Sequence, residues 1–474
     1  MKLRSVITIV LLLSSINLAW ANDLKTNDLN NAITQMIRSN LPEATVGVIL
    51  QDLNSGEILY NYHGAKHFLP ASTAKLFSSA AALKELGPHY RYETALYYSM
   101  QNGELGLKFS GDPSFKLADL LNLLKKLQEL KVSEIRGTIW IDDTTFEGPL
   151  LASGWTWDSA PWYYSAPVSA IIIDRNQFGI TLFPTKVIGD PVRAQLDKAV
   201  LGKQEHKIKA NIRAVSASDA ETLCQLLVDV DQQNNVDLGG CWPTGSDPLH
   251  LNLALRNPRL QAQQLINSAL QQLQIKSTAK IKFAKIPVHL QKLTQHDSEQ
   301  LSVLLKVILG DSDNLYAESV TKTLGAKRFG KGSFKTGVLA IQQILAPFTG
   351  IDFKQARLVD GSGASRYNLI SPLHLSQLLY AMAQDPTLAK YFRDSLAVSG
   401  LTGTLQTRFA DFENIASMQA KTGTLNGVSA LSGYLTTRTQ RELILTILIN
   451  QALGKSSELK EFEHKLCYFL AEQL

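Results

Sequence analysis

Two side chains three positions apart, Ser72 and Lys75, have the chemical types that acyl transfer needs. A serine hydroxyl is a weak nucleophile until a base removes its proton, and a neutral lysine amine can be that base. Residues i and i+3 of a helix share one face, so a helix over residues 72–86 would place the amine beside the hydroxyl. Burial, or a second cation such as Lys421, would favour the neutral amine. Taken alone, the pair fits a helix N-cap followed by a solvated lysine better than it fits an active site.

A second motif, Ser312-Asp313-Asn314, adds a hydroxyl and an amide. The Ser312 hydroxyl could relay a proton between the lysine and a leaving group, and the Asn314 amide could donate to a substrate carbonyl. The same residues fit an Asx turn or N-cap before a helix that begins near Leu315. On its own the motif favours this capping interpretation, although capping and catalysis are compatible.

A third motif, Lys421-Thr422-Gly423, opens onto the strongest strand pattern in the chain. Lys421, Thr422 and Thr424 offer one cation and two hydroxyls to a terminal carboxylate. Gly423 would let a substrate strand approach the backbone closely. The alternative is an edge strand protected by a polar lysine. Three such motifs in this order, each on a suitable element, favour a catalytic site over three unrelated structural features.

The elements that position these motifs lie in two regions of the chain. Near the N-terminus, alternating apolar residues around turn residues predict a hairpin over residues 45–62, followed by the helix at 72–86. The second region runs from about residue 295. Its predicted helices are 299–309, 315–324, 334–347 and 372–384, its predicted strands are 418–424, 428–436 and 442–450, and a last helix covers 456–473.

Residues 94–294 separate the two regions and have a different character. Short strand patterns, turns and isolated helices alternate there, with a clear helix pattern only at 259–273. We interpret this segment as an inserted module, with a possible nested subdomain at about 185–250. The chain is too long for one compact core, which also favours more than one domain.

The first 21 residues have the pattern of a cleaved signal peptide: a basic start, an apolar run and Ala19-Trp20-Ala21 before the cleavage point. An uncleaved membrane anchor is the alternative, but the apolar run is shorter than a span requires. The mature chain is therefore expected in the periplasm, with at most peripheral membrane association. Cleavage removes Lys2 and Arg4 and lowers the formal charge from +5 to +3, too little to indicate a nucleic-acid partner.

The three cysteines allow one disulfide in an oxidising compartment. Cys224 and Cys241 are close in sequence and could pair, or could remain two free buried thiols. Cys467 lies in the apolar pattern of the last helix and is expected in the core. The histidines show no metal-ligand spacing, so we expect no metal and no cofactor.

The chain resembles a known family of serine acyl-transfer enzymes. β-Lactamases and penicillin-binding proteins carry S-x-x-K, S-D-N and K-T-G in this order. Within them, the chain resembles the low-molecular-mass class C group, the D-alanyl-D-alanine carboxypeptidases and endopeptidases of the penicillin-binding protein 4 type (peptidase family S13). The matching stretches are P-A-S-T-A-K at 70–75, G-D-P-S at 111–114, G-W-T-W-D at 154–158, S-A-P-V-S-A at 165–170, S-D-N-L-Y-A-E at 312–318, D-G-S-G-A-S-R at 360–366, G-T-L at 403–405 and K-T-G-T-L at 421–425. The 240 positions between Ser72 and Ser312 are similar to the class C pattern, in which a large module is inserted in this gap.

The resemblance implies an α+β fold. Residues 22–93 and 295–474 would form a β-lactamase/transpeptidase-like catalytic domain, an antiparallel sheet flanked by helices, with residues 94–294 inserted. It also implies the substrates: peptidoglycan peptides ending in D-Ala-D-Ala or D-Ala cross-links, with β-lactam antibiotics as inhibitors. It leaves the balance of carboxypeptidase and endopeptidase activity open, and the oligomeric state too, a homodimer being compatible.

The resemblance implies catalytic roles for three residues. Ser72 attacks the carbonyl of the penultimate D-alanine and becomes acylated, and penicillin acylates the same oxygen. Lys75 is the general base. Ser312 helps to protonate the leaving amine and later helps to direct water.

Substrate-binding roles follow from the resemblance in the same way. Asn314 would position the substrate backbone, and Lys421 would bind the terminal carboxylate with Thr422 and Thr424, beside Gly423. The backbone N–H groups of Ser72 and Thr424 would form the oxyanion hole. Asp158 would contact the substrate's diamino acid from the insertion, the alternative being a solvated loop aspartate.

Two other functions remain in competition with this one. A β-lactamase needs an efficient deacylating base, but the chain has no E-x-x-L-N string and its second motif begins with Ser312. A protein that binds peptidoglycan without catalysis would be free to lose one of the hydroxyls or lysines, and all of them are present.

Overall fold

The computed structural model describes residues 28–197, 206–414 and 416–474. The predicted signal peptide, residues 1–21, lies outside them. The described chain forms two compact units. The first comprises the chain up to Thr73, Thr349–Arg357 and Leu369–Leu474, and the second comprises Ala74–Phe348 and Leu358–Asn368. The boundaries of the inserted module at 94–294 stay a prediction.

The regular elements follow in chain order. The strands are β1 (Thr45–Asp52), β2 (Ile58–Tyr62), β3 (Glu93–Ser99), β4 (Glu104–Lys108), β5 (Glu134–Ile135), β6 (Ile139–Asp142), β7 (Gln177–Phe183), β8 (Arg193–Leu196), β9 (Ile208–Val215), β10 (Leu226–Val230), β11 (Val236–Pro243), β12 (Leu249–Ala254), β13 (Lys276–Ser277), β14 (Ile281–Phe283), β15 (Gln291–Asp297), β16 (Ala397–Val398), β17 (Ser417–Leu425), β18 (Val428–Thr436) and β19 (Glu442–Asn450). The helices are α1 (described over 28–40), α2 (Lys75–Leu86), α3 (Leu117–Glu129), α4 (Ala217–Thr222), α5 (Pro258–Gln272), α6 (Leu301–Leu305), α7 (Asn314–Phe329), α8 (Phe334–Thr349), α9 (Pro372–Gln384), α10 (Ala389–Arg393) and α11 (Ser456–Gln473).

The first unit is built on a six-stranded antiparallel sheet in the order β16-β17-β18-β19-β1-β2. Side chains of a strand alternate between the two faces, and both faces are covered here. Val46 and Val48 of β1 pack in one core with α1 and α11. On the other face α9 lies against the sheet, where Ser376 Oγ donates to Gln51 Oε1 at 2.6 Å. The predicted hairpin, the C-terminal strands and the antiparallel sheet flanked by helices are confirmed.

Helix α11 buries its apolar side chains in the core of the first unit. Leu459, Phe462, Leu466 and Leu470 are all buried there together with Cys467. This confirms the expected core position of Cys467 and the expected packing of the helix on neighbouring strands. None of the helices in the described ranges is long and apolar enough to span a bilayer.

Among its described residues, the second unit contains α2 and α7, packed together, and four sheets, the smallest of which is the pair β13-β5. A five-stranded mixed sheet, β14-β6-β4-β3-β15, shares a core with α3 and α5. Two three-stranded sheets, β10-β11-β9 and β12-β7-β8, share another core. Mixed pairing fits the alternation of short strands and isolated helices that the sequence shows in this segment.

The start of α2 differs from the prediction. Residues Ala71–Ala74 form a 3₁₀ turn, and the α-helix begins at Lys75 with Ala74 as its N-cap, without a side-chain capping bond. Ser72 is therefore not the cap that its residue type suggested. The predicted helix 299–309 also divides: α6 ends at Leu305 and a π turn follows over Lys306–Gly310.

The structure joins Cys224 and Cys241 in a disulfide, with their Cα atoms 5.5 Å apart. A cross-link over 17 positions stabilises a fold by about 3 kcal/mol through loop closure in the unfolded chain.

We expect thiol titration of the denatured, unreduced protein to find one thiol, that of Cys467. We also expect the double variant Cys224→Ser/Cys241→Ser to lose about 3 kcal/mol of unfolding free energy in urea. Three titratable thiols would contradict the pairing.

Candidate active site

Ser72 lies half-buried in the 3₁₀ turn that leads into α2. The residue before it, Ala71, has a φ of 45°, a left-handed conformation that residues other than glycine rarely adopt. Such strain costs about 1–3 kcal/mol and persists where the surrounding structure imposes it. Strand β17 passes close to this turn: a Cβ at Gly423 would lie 3.0 Å from Ala71 Cβ and 3.0 Å from Ser72 N. The missing side chain at Gly423 thus lets β17 approach the backbone of Ser72.

The side chains of the third motif are anchored within the first unit. Lys421 is fully buried, and its Nζ donates to the carbonyl of Thr422 at 2.8 Å. The Thr422 hydroxyl donates to the hydroxyl of Thr404 at 2.8 Å, and Thr404 belongs to a 3₁₀ turn over Gly403–Leu405. Thr424 is exposed. Sequence reasoning quoted the G-T-L stretch but gave Thr404 no role; the structure makes it the partner of Thr422.

Strand β17 is paired unequally on its two sides. Strand β18 pairs with its whole length, from Ser417 to Leu425. Among the described residues, β16 pairs with it only at Gln419 and Ala420. The ladder on that side therefore ends just before Lys421, and an extended peptide could bind to the edge of the strand by backbone hydrogen bonds.

Lys75 is the first residue of α2, and its side chain is fully buried in the second unit. Its Nζ donates to Asn314 Oδ1 at 2.6 Å and to the carbonyl of Ser362 at 2.8 Å. The structure thus brings Lys75 together with Asn314.

Burial changes the acidity of this amine. Removal of the ammonium from water disfavours its charged form and lowers the pKa of Lys75 to about 8. Three carboxylates, those of Asp360, Glu318 and Asp313, oppose this shift. A substantial fraction of the amine is consequently neutral near pH 8, as a general base requires.

The second motif follows the π turn that ends at Gly310. Ser312 has a φ of 68°, a second left-handed residue next to the site, and its side chain is half-buried. Asp313 is the N-cap of α7, and its carboxylate accepts from Tyr316 N at 3.0 Å. Capping therefore falls on Asp313, which leaves Ser312 and Asn314 for chemistry.

Asn314 links the lysine to the segment that carries Asp158. Its Nδ2 donates to the carbonyl of Tyr164 at 2.7 Å. Asp158 lies exposed in a 3₁₀ turn over Trp157–Ser159. Burial of Tyr164 raises the pKa of its hydroxyl, and the charge of Asp158 raises it further. An exposed carboxylate in this position can meet a cationic ligand, and its predicted contact with substrate stays a prediction.

Sequence reasoning missed the role of Glu318. This carboxylate is fully buried on α7 and accepts from Gly361 N at 3.0 and 3.1 Å and from Ser362 N at 2.7 Å. Ser362 in turn is the residue whose carbonyl holds Lys75. Glu318 belongs to the S-D-N-L-Y-A-E stretch, and Gly361 and Ser362 belong to the D-G-S-G-A-S-R stretch. The sequence alone does not show that the two stretches are in contact.

Asp360 is the second buried carboxylate of this region. It accepts from Gly363 N at 2.9 Å, from Ser365 N at 2.7 Å and from Trp155 Nε1 at 2.8 Å. The loop at 360–366 is thus fixed from within and from the G-W-T-W-D stretch. Within the described ranges, no group of three or more His, Cys, Asp or Glu could hold a metal ion.

Comparison with known proteins agrees with these motifs. Residues 26–473 match the D-Ala-D-Ala carboxypeptidase 3 (S13) family. The chain belongs to this family. The predicted family is thereby confirmed.

Similar proteins carry the same names. The chain is 30% identical over 451 residues to the D-alanyl-D-alanine carboxypeptidase DacB of Haemophilus influenzae, covering 91% of this chain and 92% of that protein. The crystal structure of penicillin-binding protein 4 (dacB) from H. influenzae superposes with a TM-score of 0.83 at 29% identity, covering 93% of this chain and 99% of that one. A second structure of that protein, complexed with a novel β-lactam, has a TM-score of 0.79 at 28% identity with the same coverage. These structures also confirm the predicted fold class.

Proposed function

We propose that this chain hydrolyses peptidoglycan peptides ending in D-Ala-D-Ala through an acyl-enzyme on Ser72. The enzyme class follows from the family: the chain is a D-Ala-D-Ala carboxypeptidase. The mechanism rests above all on one observation, a fully buried Lys75 with a pKa lowered to about 8, three positions after the nucleophilic hydroxyl.

Acylation uses Lys75 as base. The neutral amine removes the proton of Ser72 Oγ, and the oxygen attacks the carbonyl carbon of the penultimate D-alanine. The tetrahedral intermediate then expels the terminal D-alanine amine, which receives a proton by way of Ser312. Water attacks the ester in the second half of the cycle, with the same groups moving protons in reverse, and restores the free hydroxyl.

The oxyanion of the intermediate would be held by the backbone N–H groups of Ser72 and Thr424. Each such donor lowers the barrier by about 3 kcal/mol. The contact distance of 3.0 Å between a Cβ at Gly423 and Ser72 N supports this assignment, because it places the β17 backbone beside the nucleophile's own N–H.

Substrate binding would use the remaining motif residues. Lys421, with Thr422 and Thr424, would bind the terminal carboxylate, and Asn314 would donate to a peptide carbonyl. In the described part of the chain, strand β16 pairs with β17 only at Gln419 and Ala420, which supports binding of an extended peptide along the rest of that edge. We keep Asp158 as a contact to a cationic group of the stem peptide.

The setting of this activity is proposed as the periplasm, after export with the segment 1–21. The Cys224–Cys241 disulfide supports an oxidising compartment. β-Lactams are proposed as inhibitors because they acylate the same hydroxyl and leave slowly.

The test is product analysis by mass spectrometry after incubation with purified peptidoglycan fragments. Release of D-alanine from pentapeptide monomers is the expected result, and separation of cross-linked dimers would add endopeptidase activity. The absence of both products would refute the proposed function. Rapid turnover of penicillin, in place of a long-lived acyl-enzyme, would favour a β-lactamase instead.

A further inference from the structure

A continuous set of contacts connects Glu318 with the amine of Lys75. One residue, Ser362, forms both links: its N–H donates to Glu318 Oε1 at 2.7 Å, and its carbonyl accepts from Lys75 Nζ at 2.8 Å. A displacement of Glu318 would therefore move an acceptor that holds the amine.

Helix α7 reaches the amine along a second route. Asn314 and Glu318 stand at i and i+4 on one face of α7, and Asn314 Oδ1 accepts from Lys75 Nζ at 2.6 Å. The loop also packs tightly on this helix, since a Cβ at Gly361 would lie 1.7 Å from Thr321 Oγ1. One rigid element thus fixes the amine directly and, through Glu318, by the loop.

We propose that Glu318 is a positioning residue for Lys75: it fixes the 360–362 backbone so that Ser362 O holds the amine, and its negative charge stabilises the protonated form. This inference rests on the proposed function, in which Lys75 is the base. Glu318 itself touches no substrate.

The charged groups around Glu318 and Lys75 determine whether the pKa of Lys75 rises or falls when one of them is removed. Glu318, Asp360 and Asp313 face Lys75, and each of them raises the pKa of the amine against the larger effect of burial. Lys322, at i+4 from Glu318 on α7, is held by the carbonyls of Pro149 and Val168 and faces the carboxylate.

The ionisation of Glu318 depends on two opposing effects. Burial and then Asp360 raise the pKa of Glu318, while hydrogen bonds from Ser362 and Gly361 lower it. The backbone N–H groups of Gly361 and Ser362 donate to both carboxylate oxygens, an arrangement that favours the ionised form. Removal of the carboxylate charge should lower the pKa of Lys75.

The experiment measures the rate constant of acylation by a fluorescent penicillin as a function of pH. For wild type, the rate should rise with pH up to about 8 as Lys75 becomes neutral. For E318Q we expect a plateau lower by up to about 100-fold, the loss that a misplacement of about 1 Å can cause, and a rise displaced to lower pH. E318D keeps the charge but is one methylene shorter, so its plateau should fall while the rise stays at the wild-type pH.

Glu463 gives a matched control. It is also fully buried, accepts from Arg408 at 2.7 Å and from Ser429 at 2.7 Å, and belongs to the first unit. E463Q should lose thermal stability and keep the wild-type position of the rise.

The outcomes separate this inference from the proposed function. A wild-type chain without label on Ser72 would refute the proposed function itself. A labelled wild type with an E318Q profile equal to it, or with a lower plateau and an unmoved rise, would refute the role of the Glu318 charge. If E318Q does not fold by circular dichroism, E318D decides: a wild-type plateau would overturn the positioning role.

Discussion

Replacement of Ser72 by alanine is expected to abolish both labelling by fluorescent penicillin and release of D-alanine. The hydroxyl oxygen forms the ester bond in the proposed mechanism, and no neighbouring atom can replace it. Removal of the nucleophile in a serine peptidase lowers kcat by about 10⁶-fold. The measurement is fluorescence of the protein band after denaturing electrophoresis, together with D-alanine quantified by mass spectrometry.

Ser39→Ala serves as the matched control. Ser39 is exposed on α1, where its hydroxyl donates to backbone carbonyls of its own helix at 2.8 and 3.4 Å and accepts from Asn40 Nδ2 at 3.4 Å. Its label should equal that of wild type. Undiminished label on Ser72→Ala would contradict the assignment and indicate acylation elsewhere on the chain.

The fold follows from local patterns wherever one pattern dominates a segment. Strands β18 and β19 were predicted within a residue of their ends because their apolar residues stand between clear turn residues. The predicted start of α2 at residue 72 is wrong, because helical propensity carries no information on the conformation of Ala71. The left-handed φ of 45° at this residue arises from its surroundings. The π turn at Lys306–Gly310 is invisible for a similar reason, since it changes the hydrogen-bond spacing without changing the apolar pattern.

The residues of the candidate site also fall into two groups, those that the sequence could predict and those that it could not. Motif residues could be named in advance because their chemistry resides in side-chain types: the structure pairs Lys75 with Asn314 and places Gly423 beside Ser72. The residues that hold them in place could not be named, because their partners are backbone groups. Glu318 accepts from N–H groups 43 and 44 positions away, and every residue type except proline could supply such a donor.

Replacement of Lys75 by methionine should lower the acylation rate constant by about 10²–10⁴-fold, the usual contribution of a general base. Wild type should show a rate that increases up to pH 8 or so, because burial lowers the pKa of Lys75 to about 8 and only the neutral amine accepts the serine proton. The methionine variant has no group to titrate there, and its residual rate should lack this rise. The measurement is the pH profile of penicillin labelling for both proteins.

Thermal unfolding distinguishes a lost base from a lost fold. The pKa of Lys75 falls from 10.5 to about 8 on folding, so between these values the unfolded chain binds the extra proton and stability increases with pH. At neutral pH the buried charge therefore opposes folding, and methionine relieves that cost while it loses two hydrogen bonds. We expect a small change in Tm.

Lys84→Met, at an exposed position of the same helix, should keep the wild-type rate and profile. A Lys75→Met protein that retained the rise with pH would show that another group is the base.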